Sequence, residues 1–232
     1  MAGGLQTVRF QTVIDKLAAA YGPPKRPAVT DPLQMILLEN VAYLAGDEQR
    51  LEAFQALRQR IGVTPEAILS ASPRELLEVA RLGGILAEGR VEKLRRTARI
   101  ARQKFGSDLR AVVKQPLPEA RKSLKLFPGI GDPGAEKILL FSGAHPILAL
   151  DSHGLRVMTR VGFGREGKSY ATTYRSAQEA VREELPADCS WLRRAHLLLR
   201  RHGQQVCRRS RPQCGVCAVS SLCRYYQERG VS

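Results

Sequence analysis

An all-α fold follows from three observations on this sequence. Apolar residues recur at helical spacing in nearly every segment. The cleanest case is Val91, Leu94, Ala98, Ala101 and Phe105, whose 3,4,3,4 intervals trace one face of a helix. Four polar residues, Asp31, Thr64, Ser72 and Asp132, each stand directly before a proline and a helical run. Such residues cap helices by accepting from free N–H groups, and proline suits the first helical position because its missing N–H would have no partner there. No alternation of apolar and polar residues persists over six positions, so no strand is expected.

The elements follow in order. Residues 5–20 form the first helix, which ends where Pro23, Pro24 and Pro27 make a short linker. Residues 32–45 form a mostly apolar helix starting at Pro32, and residues 47–60 follow, opened by Asp47. Further helical runs begin after the Thr64 and Ser72 caps. Residues 88–105 carry the apolar stripe, with Lys93, Arg95, Arg96, Arg99, Arg102 and Lys104 on the remaining faces. That basic surface suits phosphate contacts and equally an ordinary solvated helix face. Residues 117–127, 133–142, 152–162, 170–184 and 189–203 complete the helices. The chain has no internal repeat, and its 232 residues suffice for one large or two small domains. Two lobes are expected: a contiguous bundle of residues 30–144, and residues 1–29 together with 145–232.

Lysine and arginine number 37 against 22 acidic residues, a net charge of +15. A charge of that size favours polyanionic partners and seldom serves the fold. Five cysteines, an odd count, and an N-terminus without an apolar leader point to a reducing, intracellular setting: the cytoplasm and nucleoid in a bacterium or archaeon. No apolar run approaches the roughly 18 residues needed to span a bilayer.

Four cysteines, Cys207, Cys214, Cys217 and Cys223, lie within 17 residues at C-x6-C-x2-C-x5-C spacing. A ligand set made only of sulfur favours zinc or an iron–sulfur cluster over hard cations. Structural zinc sites usually combine two short knuckles, and only Cys214 to Cys217 is one. The uneven spacing therefore suits a [4Fe–4S] cluster better than zinc, and disulfides least. Such a cluster could serve only to staple the C-terminal segment. Cys189 is left over and is expected to be a buried thiol.

Residues 126–143 read Leu126-Phe127-Pro128-Gly129-Ile130-Gly131, then Asp132-Pro133-Gly134-Ala135 and a helix ending near Gly143. A tight G-x-G turn presents backbone N–H groups at the start of the following helix, where an anion is favoured. Lacking side chains, Gly129 and Gly131 would let a phosphate approach closely. Taken singly, the turn is equally an ordinary helix–helix connection. Shortly afterwards an apolar segment, Leu148-Ala149-Leu150, leads into Asp151-Ser152-His153-Gly154 and a further helix.

In this order (helix-hairpin-helix, apolar segment, aspartate, helix, 6-2-5 cysteines) the chain resembles the helix-hairpin-helix DNA glycosylases. The similarity is to the iron–sulfur branch, which contains endonuclease III and the adenine mismatch glycosylase. It runs from about Pro32 to Cys223 and includes the stretch from His196 through Gly203 to the cysteines. The resemblance implies a base-excision-repair enzyme acting as a monomer, away from membranes. Its partner would be double-stranded DNA containing a damaged or mismatched base. The four cysteines would hold a [4Fe–4S] cluster of structural or redox-sensing role.

The resemblance gives Asp151 the central catalytic role. Breaking an N-glycosidic bond develops positive charge on the sugar, which a nearby carboxylate stabilises while it positions or deprotonates water. Asp151 would also serve as a helix cap. Gly129, Ile130, Gly131 and His153 are implied DNA contacts, and Arg208, Arg209 and Arg211 would hold the backbone. Endonuclease III-type enzymes carry a Schiff-base lysine two residues after the second hairpin glycine; here that residue is Pro133, with Lys137 one turn further on. A glycosylase using water, with weak or absent lyase activity, is expected. The alternatives are a bifunctional enzyme using another lysine, or a DNA-binding protein that has lost catalysis.

Aligned from Pro32, Glu39 falls at an acidic position of the adenine mismatch glycosylase. Its neighbours Leu37, Leu38, Val41 and Ala42 are apolar, surroundings that favour a protonated carboxyl able to act as a general acid. The other reading is a structural glutamate. Tyr43 and Leu44 fall where the family inserts a wedge beside a flipped base, or belong to the core. The sequence ends soon after the cysteines, so strict adenine–oxoguanine specificity, which depends on a further C-terminal domain, is not expected.

Overall fold

The computed structural model describes residues 8–229. Residues 5–7 of the first expected helix and the extreme ends of the second expected lobe lie outside them. Thirteen α-helices are present among the described residues: α1 (Phe10–Tyr21), α2 (Pro32–Val41), α3 (Asp47–Arg60), α4 (Pro65–Ser70), α5 (Pro73–Leu82), α6 (Ala87–Phe105), α7 (Arg110–Val113), α8 (Leu117–Leu124), α9 (Asp132–Phe141), α10 (Ser152–Val161), α11 (Tyr170–Glu179), α12 (Cys189–Gln205) and α13 (Arg224–Glu228). The only extended pairing among these residues is an isolated parallel bridge between Tyr43 and Gly84. The fold is all-α. By contacts the chain divides into two compact units, Pro27–His145 and the residues up to Arg26 together with those from Pro146 onward.

In the Pro27–His145 unit, α6 packs against α2, α4 and α5, α3 lies on α5, and α8 and α9 form the hairpin. Leu94, Ala98 and Ala101 of the α6 stripe are buried, while Val91 and Phe105, at its two ends, are only half-buried. Three of the four expected caps form. Asp31 accepts from the Gln34 N–H (3.0 Å), Thr64 from Ala67 (3.2 Å) and Ser72 from Glu75 (3.2 Å), the last completing a reciprocal capping box. The fourth does not. Gly131 occupies the cap position of α9, and Asp132 is already helical, with its carboxylate paired to Lys125 at 2.6 Å.

In the other unit, α1 and α10 both pack on α12. Phe10, Val13, Ile14 and Leu17 of α1 are fully buried. Phe10 stands edge-on to Phe163 and Trp191, with its N–H donating to Glu184 at 2.8 Å. Gly203 permits the close approach of α10 and α12: a Cβ there would lie 2.5 Å from the His153 carbonyl oxygen.

Several boundaries differ from expectation. Helix α2 stops at Val41 rather than 45, because the chain leaves it to bridge Gly84. Helix α8 stops at Leu124 rather than 127, giving way to tight turns in which Phe127 N–H donates to Leu124 O and Ile130 N–H to Phe127 O, each at 3.2 Å. Helix α11 ends at Glu179, and a separate 3-10 turn covers Arg182–Glu184. Helices α7 and α13, of 4 and 5 residues, are too short for periodicity to reveal. Cys189 is half-buried in the first turn of α12 rather than fully buried. No helix of the described residues is long and apolar enough to cross a membrane.

Candidate functional site

The segment before Asp151 is neither helix nor strand, yet Leu148, Ala149 and Leu150 are buried. Side chains therefore satisfy its backbone. Buried His196 donates from Nδ1 to Ala149 O (2.8 Å), Gln178 donates to Leu148 O (2.9 Å), and Leu150 N–H donates to the Tyr174 hydroxyl (3.4 Å). This scaffold sets Asp151 at the N-cap of α10, where Oδ1 accepts from Gly154 N–H at 2.8 Å. Oδ2 accepts from Arg200 Nη1 at 2.6 Å, with the Asp151 side chain 20% exposed. Burial alone would raise its pKa. The Gly154 N–H, then Arg200, His196 and His153, outweigh burial and hold the carboxyl below its ordinary range. Asp151 is therefore an ionised, rigidly held carboxylate. His153 is half-buried, and its Nδ1 meets Arg156 Nη2 at 3.2 Å.

In the other unit, the hairpin between α8 and α9 is tied to α2 by Asn40, whose amide donates to Pro128 O and Ile36 O, both at 3.0 Å. Gly129 has φ +74°, a left-handed conformation that needs glycine. Gly131 is exposed, and a Cβ there would meet only Pro133 at 3.9 Å, so internal packing does not require glycine at this position. Ile130 is buried and its N–H is used internally by Phe127 O, so of the three expected hairpin contacts it alone turns away from solvent.

The expected apolar surroundings of Glu39 are not found. Its Oε1 takes a hydrogen bond from Lys137 Nζ at 2.5 Å and its Oε2 one from Arg50 at 3.1 Å, with the side chain 30% exposed. A cation on each oxygen suits the charged carboxylate, not a proton donor. Leu37, Val41 and Ala42 are buried in the core and Leu38 is half-buried, while Glu39 is paired to Lys137 of α9 and Arg50 of α3.

Tyr43 and Leu44 are exposed by 45% and 75%, which excludes the core reading. The structure adds partners that sequence spacing did not reveal: Ile85 and Leu86, exposed by 54% and 65%, on the loop between α5 and α6. Tyr43 N–H donates to Gly83 O at 2.9 Å, which brings the two loops together. Arg90, buried in α6, donates from Nη2 to Gly84 O at 2.8 Å and also to Ala80 O. Leu44 and Leu86 both adopt left-handed backbone conformations (φ 51° and 58°), which are uncommon for residues other than glycine. Four apolar side chains thus project from one two-loop ridge, beside Lys93, whose Nζ lies 5.7 Å from the Tyr43 ring centre. The loops meet only because Gly83 lacks a side chain: a Cβ would stand 2.1 Å from Val41 O. Gly83→Ala is expected to lower stability by roughly 1–3 kcal/mol through this overpacking. Urea unfolding checks this, and an unchanged midpoint would show that the contact does not hold the loops.

All four clustered cysteines line one cavity, together with Val157, Val161, Val206 and Val219. Among the described residues no group of three or more histidine, cysteine, aspartate or glutamate side chains is placed to hold a single metal ion, and all five cysteines are free thiols. Burial, and then the neighbouring sulfurs, push Cys217 up to about 11 and also raise Cys223. Such thiols become thiolates readily only against a cationic centre. An all-sulfur set spread around an apolar cavity thus fits a multi-atom metal cluster. Arg160 organises the first loop by donating to Arg208 O (2.7 Å) and Arg209 O (3.1 Å), and lies 3.4 Å from Cys207 Sγ. Arg208, Arg209 and Arg211 are exposed.

No protein-family profile matches the chain. It is 24% identical over 207 residues to Endonuclease III of Thermotoga maritima, covering 89% of each protein. In structure it is similar to a trapped Endonuclease III–DNA covalent intermediate, with a TM-score of 0.75, 19% identity, and coverage of 96% of this chain and 99% of that one. A thermostable thymine-DNA glycosylase superposes with a TM-score of 0.72 at 18% identity, covering 94% and 95%.

Proposed function

We propose, for a chain that belongs to the helix-hairpin-helix DNA glycosylase superfamily, a base-excision-repair glycosylase that removes a damaged or mismatched base from double-stranded DNA. The observation that carries this reading is Asp151, an ionised carboxylate locked at a helix N-terminus by a scaffold of buried hydrogen bonds. A base must leave the stack before its glycosidic bond can be reached. Asp151 would then stabilise the cationic sugar and orient the attacking water.

The remaining groups support the same reading. Gly131 leaves room for a phosphate where packing would tolerate a side chain, at the positive end of α9. The ridge of Tyr43, Leu44, Ile85 and Leu86 suits insertion into the gap left by the flipped base. Arg208, Arg209 and Arg211 suit the DNA backbone, as does the net charge of +15. Cys207, Cys214, Cys217 and Cys223 would hold a [4Fe–4S] cluster, which supplies a structural brace for the loop that carries those arginines.

The reaction is proposed to be monofunctional. Pro133 has no amine, and Lys137 is engaged by Glu39 at 2.5 Å. Glu39 is assigned to holding Lys137 and Arg50, and Asp151 carries the chemistry. A panel of lesion-containing duplexes, assayed with and without alkali, tests both levels. Base release is expected, with strand scission only after alkali and little covalent complex on borohydride reduction. Release from no lesion would overturn the glycosylase reading. Efficient trapping would overturn the monofunctional one, and its loss in Lys137→Ala would identify the amine.

A further inference from the structure

Asp151 has two oxygens, and the helix cap uses one. The other is held by Arg200, a residue of α12 placed 49 positions away in sequence. Arg200 contacts Oδ2 through Nη1 at 2.6 Å, with its own side chain 27% exposed. We infer that Arg200 is a positioning residue that acts on excision through Asp151: it keeps the carboxylate charged by bonding the oxygen that the cap leaves free. The inference rests on the assignment of the chemistry to Asp151.

The geometry has two opposed electrostatic consequences. Asp151 is mostly buried, so water does little to stabilise its charge, and the Gly154 N–H is its only partner at the cap. A guanidinium against the second oxygen keeps the carboxylate ionised at a pH where burial would otherwise protonate it. The same guanidinium brings a positive charge close to where positive charge develops on the sugar. It therefore offsets part of the field that Asp151 supplies once ionised. Arg200 sustains activity on the acid side and restrains it above. A brace that only held α10 against α12 would change the rate alike at every pH.

The charged and titratable groups around Asp151 in its unit are Arg200 and His196 from α12, His153 and Arg156 from α10, and Tyr170 at the start of α11. Of these, Arg200 is the cation in direct contact with Oδ2. His196 is occupied by the Ala149 carbonyl, and Arg156 by the carbonyls of Cys207 (2.8 Å) and Gly203 (2.7 Å).

The test is single-turnover excision as a function of pH for the full chain, Arg200→Met, Arg200→Lys and Asp151→Asn. Removing the cation lets burial raise the carboxyl, so activity should be lost earlier as pH falls. In Arg200→Met the acid limb is expected to move up by about one pH unit or more, the scale on which an adjacent guanidinium acts on a carboxylate. Above that limb its rate should equal or exceed wild type, and Arg200→Lys should return the limb toward the wild-type position. If Arg200→Met does not fold, Arg200→Gln, which keeps a donor without the charge, carries the same expectation. A profile parallel to wild type, with the limb unmoved, overturns the role of Arg200. Full activity in Asp151→Asn overturns instead the assignment on which it rests.

Discussion

Asp151→Asn is expected to bind damaged duplex about as tightly as wild type and to lose base excision by about two orders of magnitude or more. Removing one preorganised electrostatic partner of a developing charge typically has an effect of that size. The substitution keeps the shape of the side chain but removes its charge and the acceptor for Arg200 Nη1. Asparagine is nearly isosteric and is itself a good N-cap, so Oδ1 can keep the Gly154 N–H and α10 keeps its start. What disappears is the negative charge that would face the sugar. Single-turnover rates together with equilibrium binding separate the two effects. Excision within a fewfold of wild type would sink the catalytic role of Asp151, whereas equal losses of binding and rate would point to a collapsed site.

Cys214→Ser is expected to remove most of the iron and to loosen the chain from Cys207 onward. Between α12 and α13 the backbone makes only two single 3-10 turns, Cys214–Val216 and Ser220–Leu222. The buried side chains there are few: Val219 and Cys223. So little apolar surface cannot hold a loop of this length, and cluster ligation would supply the missing stability. Purified protein should be yellow-brown, with about four irons per chain as a [4Fe–4S] centre requires. The variant should be cut by protease within the cysteine loop. A colourless wild-type preparation with one tightly bound zinc per chain would refute the cluster assignment.

Features governed by a few neighbouring residues were legible in the sequence. Asp31, Thr64 and Ser72 cap helices because a side-chain oxygen reaches an N–H three residues ahead, whatever the rest of the chain does. The cap from Asp151 to Gly154 was readable for the same reason, whereas its candidate catalytic role came from the family resemblance; the cysteines were readable because ligand spacing lies along the chain. Asp132 shows where the rule yields. Gly131 took the cap, and Lys125 drew the Asp132 carboxylate into an ion pair instead.

Thus the sequence by itself determined the all-α class and most helix starts, and it pointed to the thiols by their spacing and to the candidate carboxylate by family resemblance. Only the tertiary structure decided what stands against them. Glu39 looked apolar among its neighbours in sequence, yet its partner Lys137 is 98 residues away. Arg200 carries no motif that would link it to Asp151, and Ile85 and Leu86 join Tyr43 and Leu44 only because Gly83 lets two loops touch. The physical reason is common to all three. Capping and helical spacing act within one turn of backbone, whereas the charge state of a carboxylate and the exposure of an apolar side chain depend on which distant helices pack beside it.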